Sequence, residues 1–137
     1  MSMSLDAKLQ ISRRVYEEML AQAVAELPNE CCGLLAGQGG RVTHRYPLTN
    51  VLASPVRYES YPFAADKDMR QQGTELLAIY HSHPATEPVP SRTDLERNFY
   101  GDAVVHLIIS LKEGVPTMRA WRLGETSYRE AEWTFDE

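Results

Sequence analysis

Apolar residues recur every four positions at Val15, Met19, Ala23 and Leu27, with Leu20 and Val24 beside them. That period predicts a helix whose outer side carries Arg13, Arg14, Glu17, Glu18 and Gln22, capped by Ser12 and ended by Pro28-Asn29. The pattern then changes. Glu30 to Ala36 reads as a short buried strand closed by Gly37-Gln38-Gly39-Gly40, a hairpin turn. Beyond it Val42, His44, Tyr46 and Leu48 alternate with Arg41, Thr43 and Arg45, the period of a half-buried strand. Residues 50–63, with Pro55 and Pro62 among scattered aromatics, give no period and are expected to be irregular or extended.

A short helix is expected over Ala64–Gln72, with Gly73 suited to the left-handed position after it. Glu75–His83 follows as a strand in which Leu77, Ile79, His81 and His83 share one face. A helix over Ser91–Tyr100 ends at Gly101, and Ala103–Leu111 is a near-continuous apolar run of the kind found in a central strand. Gly114 and Pro116 break it. Two alternating segments, Thr117–Leu123 and Ser127–Phe135, are expected as antiparallel strands around Gly124-Glu125. Helices alternating with strands predict an α/β (α+β) fold, and 137 residues suit one domain spanning 1–137.

The chemistry concentrates at His81-Ser82-His83-Pro84. In a strand, residues i and i+2 point to one face, so two imidazoles can meet one ion. Pro84 ends the ladder at once, which places the pair where strand gives way to loop. Ser91-Arg92-Thr93-Asp94 has a structural reading as a capping box, Ser at the N-cap and an acid three residues on. It has a second reading that is compatible with the first: a helix N-terminus one short loop away can aim the Asp94 carboxylate at the same ion. Two His and one carboxylate leave a fourth tetrahedral position open, the mark of a catalytic zinc rather than a structural one. Such a site needs a proton acceptor, and Glu30 is the candidate, against its ordinary reading as a solvated residue between helix and strand. Ser91 either caps only or also donates to an oxyanion.

Charge and composition narrow the alternatives. A formal charge of −5 argues against a nucleic-acid partner, and 43% hydrophobic residues with no long apolar run argue against a membrane protein. Met1–Gln10 has no apolar export segment, so a cytoplasmic location is expected. Cys31 and Cys32 are neighbours and imply no disulfide framework; as adjacent strand residues they face opposite ways, which weighs against a Cys2His2 structural zinc. A zinc nucleobase deaminase is rejected because its H-x-E and P-C-x-x-C signature is missing. His44 and His106 fall within strand patterns and read as structural.

Taken together, Glu30, His81-Ser82-His83, Ser91 seven residues after His83's own loop begins, and Asp94 resemble the JAMM motif of the JAB1/MPN/Mov34 metalloenzymes, E…H-[ST]-H-x7-S-x2-D. Glu30-Cys-Cys-Gly-Leu-Leu35 and the apolar run Ala103–Leu111 are similar to the small prokaryotic members. The resemblance implies a single MPN domain, a cytidine-deaminase-like mixed sheet flanked by helices. It implies one Zn2+ per chain held by His81, His83 and Asp94, with Glu30 as general acid/base and Ser91 stabilising the oxyanion. The implied activity is isopeptidase or peptidase cleavage after the C-terminal Gly-Gly of a ubiquitin-like protein, here a sulfur carrier rather than polyubiquitin. The competing expectation is a non-catalytic MPN scaffold, which typically lacks motif residues that this chain retains.

Overall fold

The computed structural model describes residues 8–98 and 100–136, so most of the N-terminal stretch Met1–Gln10 lies outside the described residues. Ser12 divides a short strand, β1 (Leu9–Ile11), from helix α1 (Arg13–Ala25), and its hydroxyl accepts a 3.1 Å hydrogen bond from the Val15 N–H, the expected cap. Val15, Met19 and Ala23 form the buried stripe. The helix ends earlier than its apolar period suggests. Leu27 N–H turns back to the Val24 carbonyl in a tightened final turn ahead of Pro28, and Val24 and Leu27 remain exposed.

The strands are β2 (Cys32–Gln38), β3 (Arg41–Leu48), β4 (Glu75–His83), β5 (Val105–Ser110), β6 (Thr117–Leu123), β7 (Tyr128–Ala131) and β8 (Trp133–Phe135), with helices α2 (Phe63–Gln72) and α3 (Arg92–Glu96) between them. Gly39 and Gly40, both at positive φ, close the β2–β3 hairpin as expected. Gly73 takes the left-handed position after α2, also as expected. Among the described residues the strands form one mixed sheet in the order β7-β6-β5-β4-β2-β3-β1-β8, with β4 and β5 parallel at its centre. The α/β reading holds: α1 covers one face, and α2 and α3 lie over the other.

Three local expectations change. The segment Ser127–Phe135 is two strands, because β7 pairs with β6 whereas β8 pairs in parallel with β1 at the far end of the sheet. Only Glu132 separates them, so the sheet curls around α1 until its two ends approach. Tyr16 of α1 holds this closure, stacking on Trp133 at 5.4 Å and meeting Phe135 edge-on at 5.3 Å. Leu77 does not share a face with His81. Leu35 pairs with Ala78 and Ala36 with Leu76, so Leu77 is a bulge that turns into the α1-side core with Ala78 and Tyr80. The expected helix Ser91–Tyr100 is short: α3 stops at Glu96, and Asn98 beyond it donates to the Gly101 and Leu123 carbonyls instead of continuing the helix. Phe99 lies outside the described residues.

Candidate functional site

Below the bulge β4 alternates regularly. Ala78 and Tyr80 join the α1-side core, while Ile79 and His81 line a cavity of about 360 Å3 on the other face. Cys31 and Cys32 divide in the same way, Cys31 into the core and Cys32 onto the cavity wall, which leaves Glu30 beside Cys32 on the cavity side. Gly33, next along the strand, is required by close approach: a Cβ there would lie 2.1 Å from Tyr80 Cζ. The Tyr80 ring crosses Gly33 so that its hydroxyl can donate to Gln22 Oε1 at 2.6 Å and accept from Arg45.

His81, His83 and Asp94 converge. Their ligand atoms all lie within 4.8 Å of one another, with the two Nε2 atoms 3.1 Å apart. Asp94 Oδ1 is 3.2 Å from His81 Nε2, and Oδ2 is 3.2 Å from His83 Nε2. His83 Nδ1 lies 2.8 Å from the Glu87 carbonyl, a contact that needs a proton on Nδ1 and turns Nε2 toward the cluster. Tyr58 stacks on the His81 ring at 4.9 Å. The capping box at α3 is complete: Ser91 Oγ accepts from the Asp94 N–H, and the Ser91 N–H donates to Asp94 Oδ2 at 2.8 Å. Capping and aiming of Asp94 are thus one arrangement. The donor set suits a divalent cation, since three Lewis bases from three positions point at one small volume and an open side faces the cavity.

The electrostatics follow from this crowding. Burial alone raises the Asp94 carboxyl, but the His81 charge and hydrogen bonds from both rings and the Ser91 N–H overcome it and hold the group far below the usual carboxylate range. Burial opposes the charged form of His83, yet Asp94 and the Glu87 carbonyl raise it. Glu30 is 5% exposed, and burial lifts its carboxyl to about 7 against the pull of His81 and His83. A carboxyl poised there can both take and release a proton near neutral pH.

Ser82, between the histidines, points away from the cavity and is fully buried. Its Oγ accepts from the Cys31 N–H at 2.8 Å, and its N–H donates to the Cys31 carbonyl at 3.1 Å. It therefore pins the residue after Glu30 to the strand that carries the histidines. Sequence did not single out Tyr58, Thr93 and Arg97 on the cavity walls, nor Asn50, whose side chain bonds the Glu30 carbonyl. The readable signal was at Asn50, where Asn ahead of a Pro-containing irregular stretch favours a side-chain-closed turn. His106 lies in a strand as expected, but it also faces the cavity, and burial lowers its imidazole to about 4.

A family model described as prokaryotic homologs of the JAB domain matches residues 12–124. A desampylase of Haloferax volcanii is 35% identical over 127 residues, covering 88% of this chain and 87% of that protein. The CysO-cysteine peptidase of Mycobacterium tuberculosis is 32% identical over 120 residues, covering 84% and 82%. The solution structure of a Desulfitobacterium hafniense protein superposes with a TM-score of 0.83 at 38% identity, covering 93% of this chain and 92% of that one. On the extent of the family match and of these two relatives, this chain belongs to the prokaryotic homologs of the JAB domain.

Proposed function

We propose that this protein is a zinc-dependent peptidase and isopeptidase that cuts the amide bond after the C-terminal Gly-Gly of a ubiquitin-like sulfur-carrier protein. The observation that carries the reading is the convergence of His81, His83 and Asp94 on one point of a cavity that also holds the buried Glu30. The names of the relatives, a desampylase and a CysO-cysteine peptidase, support both the hydrolytic chemistry and the class of substrate.

His81, His83 and Asp94 would hold one Zn2+ per chain, and when bound it supplies Lewis acidity to a water and to the scissile carbonyl. Glu30 accepts the proton of the attacking water and passes it to the departing amine, so water's oxygen ends on the carrier carboxyl and its proton on the amine. Ser91 keeps its hydroxyl proton free, since its Oγ only accepts within the capping box, and that proton is available to a developing oxyanion. The two glycines have no side chains to collide with the cavity walls, which gives selectivity by shape.

The test offers zinc-loaded protein a carrier extended by one amino acid after Gly-Gly, the same carrier with Ala-Ala, and a ubiquitin dimer, and follows product mass. Cleavage of the first alone is expected. Efficient cutting of the dimer with the carrier untouched would remove the carrier assignment, and no cutting of any substrate would favour the scaffold.

A further inference from the structure

Residues 50–59 contain no regular element, yet their last four, 56–59, line one wall of the cavity. Beside backbone bonds such as Val51 N–H to the Glu59 carbonyl, one side chain ties the segment together. Asn50 is 7% exposed, and its Nδ2 donates to the Glu30 carbonyl at 3.0 Å and the Arg57 carbonyl at 2.9 Å, with a longer 3.4 Å contact to the Ser54 carbonyl. Its Oδ1 accepts from the Leu52 N–H at 3.1 Å and the Glu59 N–H at 3.2 Å. A buried amide with every donor and acceptor engaged is rigid, because any rotation leaves polar atoms unpaired in a dry setting.

The partners give this network a direction. Arg57 and Glu59 flank Tyr58, so Asn50 holds the backbone on both sides of the residue whose ring stacks on His81. On the other side the same amide grips the Glu30 carbonyl, while the Glu30 N–H donates to the Ser54 carbonyl at 2.8 Å within the same loop. One side chain therefore relates the backbone of Glu30 to the ring that packs on His81. Neither Glu30 nor Tyr58 lies within a helix or strand that would fix it otherwise.

We infer that Asn50 is the positioning residue of this site, setting the Glu30 carboxylate relative to His81 and holding the cavity wall that receives the substrate. The inference rests on the reading of Glu30 as proton acceptor. Asn50 touches no reacting atom. Its effect is geometric, and a displacement of about 1 Å at a reacting group can cost about a hundredfold in rate.

Two variants separate the two duties. Asn50→Asp retains an oxygen for the Leu52 and Glu59 N–H groups but loses the donors to the Glu30 and Arg57 carbonyls. Asn50→Leu loses every bond. Zinc content, KM, kcat per zinc-loaded chain and amide hydrogen exchange over 51–59 are measured on each, below its unfolding temperature. Both variants are expected to retain zinc and to lose about a hundredfold in kcat. Asn50→Leu alone is expected to raise KM severalfold, with exchange at Leu52 and Glu59 faster by about tenfold or more. A purely structural role would lower the unfolding temperature and leave kcat per zinc-loaded chain unchanged, and that result overturns the inference. If the wild type cleaves no carrier, the hydrolase reading fails separately. Exchange then decides: protection lost at 51–59 and at the Glu30 and Cys31 amides upholds Asn50 as the organiser, and unchanged protection overturns it.

Discussion

The Asp94 carboxylate oxygen that lies 3.2 Å from His83 Nε2 also accepts the 2.8 Å hydrogen bond of the Ser91 N–H. A capping box thereby becomes a device for aiming an acid. The Asp94 side chain is held by the start of its own helix before anything binds to it, so little ordering is left for the moment of binding.

Ser91 separates stability from turnover. Ser91→Ala removes the acceptor for the Asp94 N–H and should lower stability by about 1 kcal/mol in denaturant unfolding. Loss of the oxyanion donor should also lower kcat by about a hundredfold or more. Ser91→Asp still caps but has no proton to give, and it should recover the stability without the turnover. Full activity in Ser91→Asp would leave the residue with capping alone.

Glu30→Gln should retain zinc and fold while turnover falls by orders of magnitude, because the amide cannot accept the proton. The same substitution has a pH signature in chelator-treated protein. The folded carboxyl titrates at about 7 against an ordinary value of 4.5, so the folded state favours the protonated form. Its contribution to stability is full below 4.5 and is lost as pH rises through 7. Chelated Glu30→Gln should therefore be more stable than chelated wild type at pH about 8, by up to about 3 kcal/mol, and the gap should close by pH about 4. A gap independent of pH would refute the burial argument.

Gly33→Ala tests the packing that brings Tyr80 across β2. A Cβ 2.1 Å from Tyr80 Cζ forces the ring aside and breaks its bonds to Gln22 and Arg45, so a loss of at least about 1–3 kcal/mol is expected on unfolding. Tyr80→Leu added to Gly33→Ala should recover part of that loss. If the double variant is as unstable as the sum of the singles, the clash is not the cause.

The parts of this molecule that were legible in the sequence are those set by local period or local capping. His81 and His83 were readable because a strand alternates with period 2, and Asp94 because a capping box has fixed spacing. Leu77 was misplaced by the same rule, since a bulge shifts the alternation by one residue and leaves no mark in the pattern. For another reason β1 was hidden, and β8 was legible only as a continuation of β7. Each has three residues and pairs with a segment more than a hundred residues away in the chain, so local pattern carries none of that pairing. Residues 50–59 were illegible because their shape comes from bonds converging on Asn50 and not from any repeat.

The central claim is that one cation held by His81, His83 and Asp94 switches on hydrolysis at Glu30. The measurement that tests it most directly is a zinc titration of chelator-treated protein with release of the amino acid from a Gly-Gly-extended carrier followed at each step. Turnover should rise in proportion to added zinc and level off at about one zinc per chain, with His83→Ala neither retaining the metal nor gaining activity. Turnover in the chelated protein equal to that of the loaded one, or equal zinc retention by His83→Ala, would contradict the account.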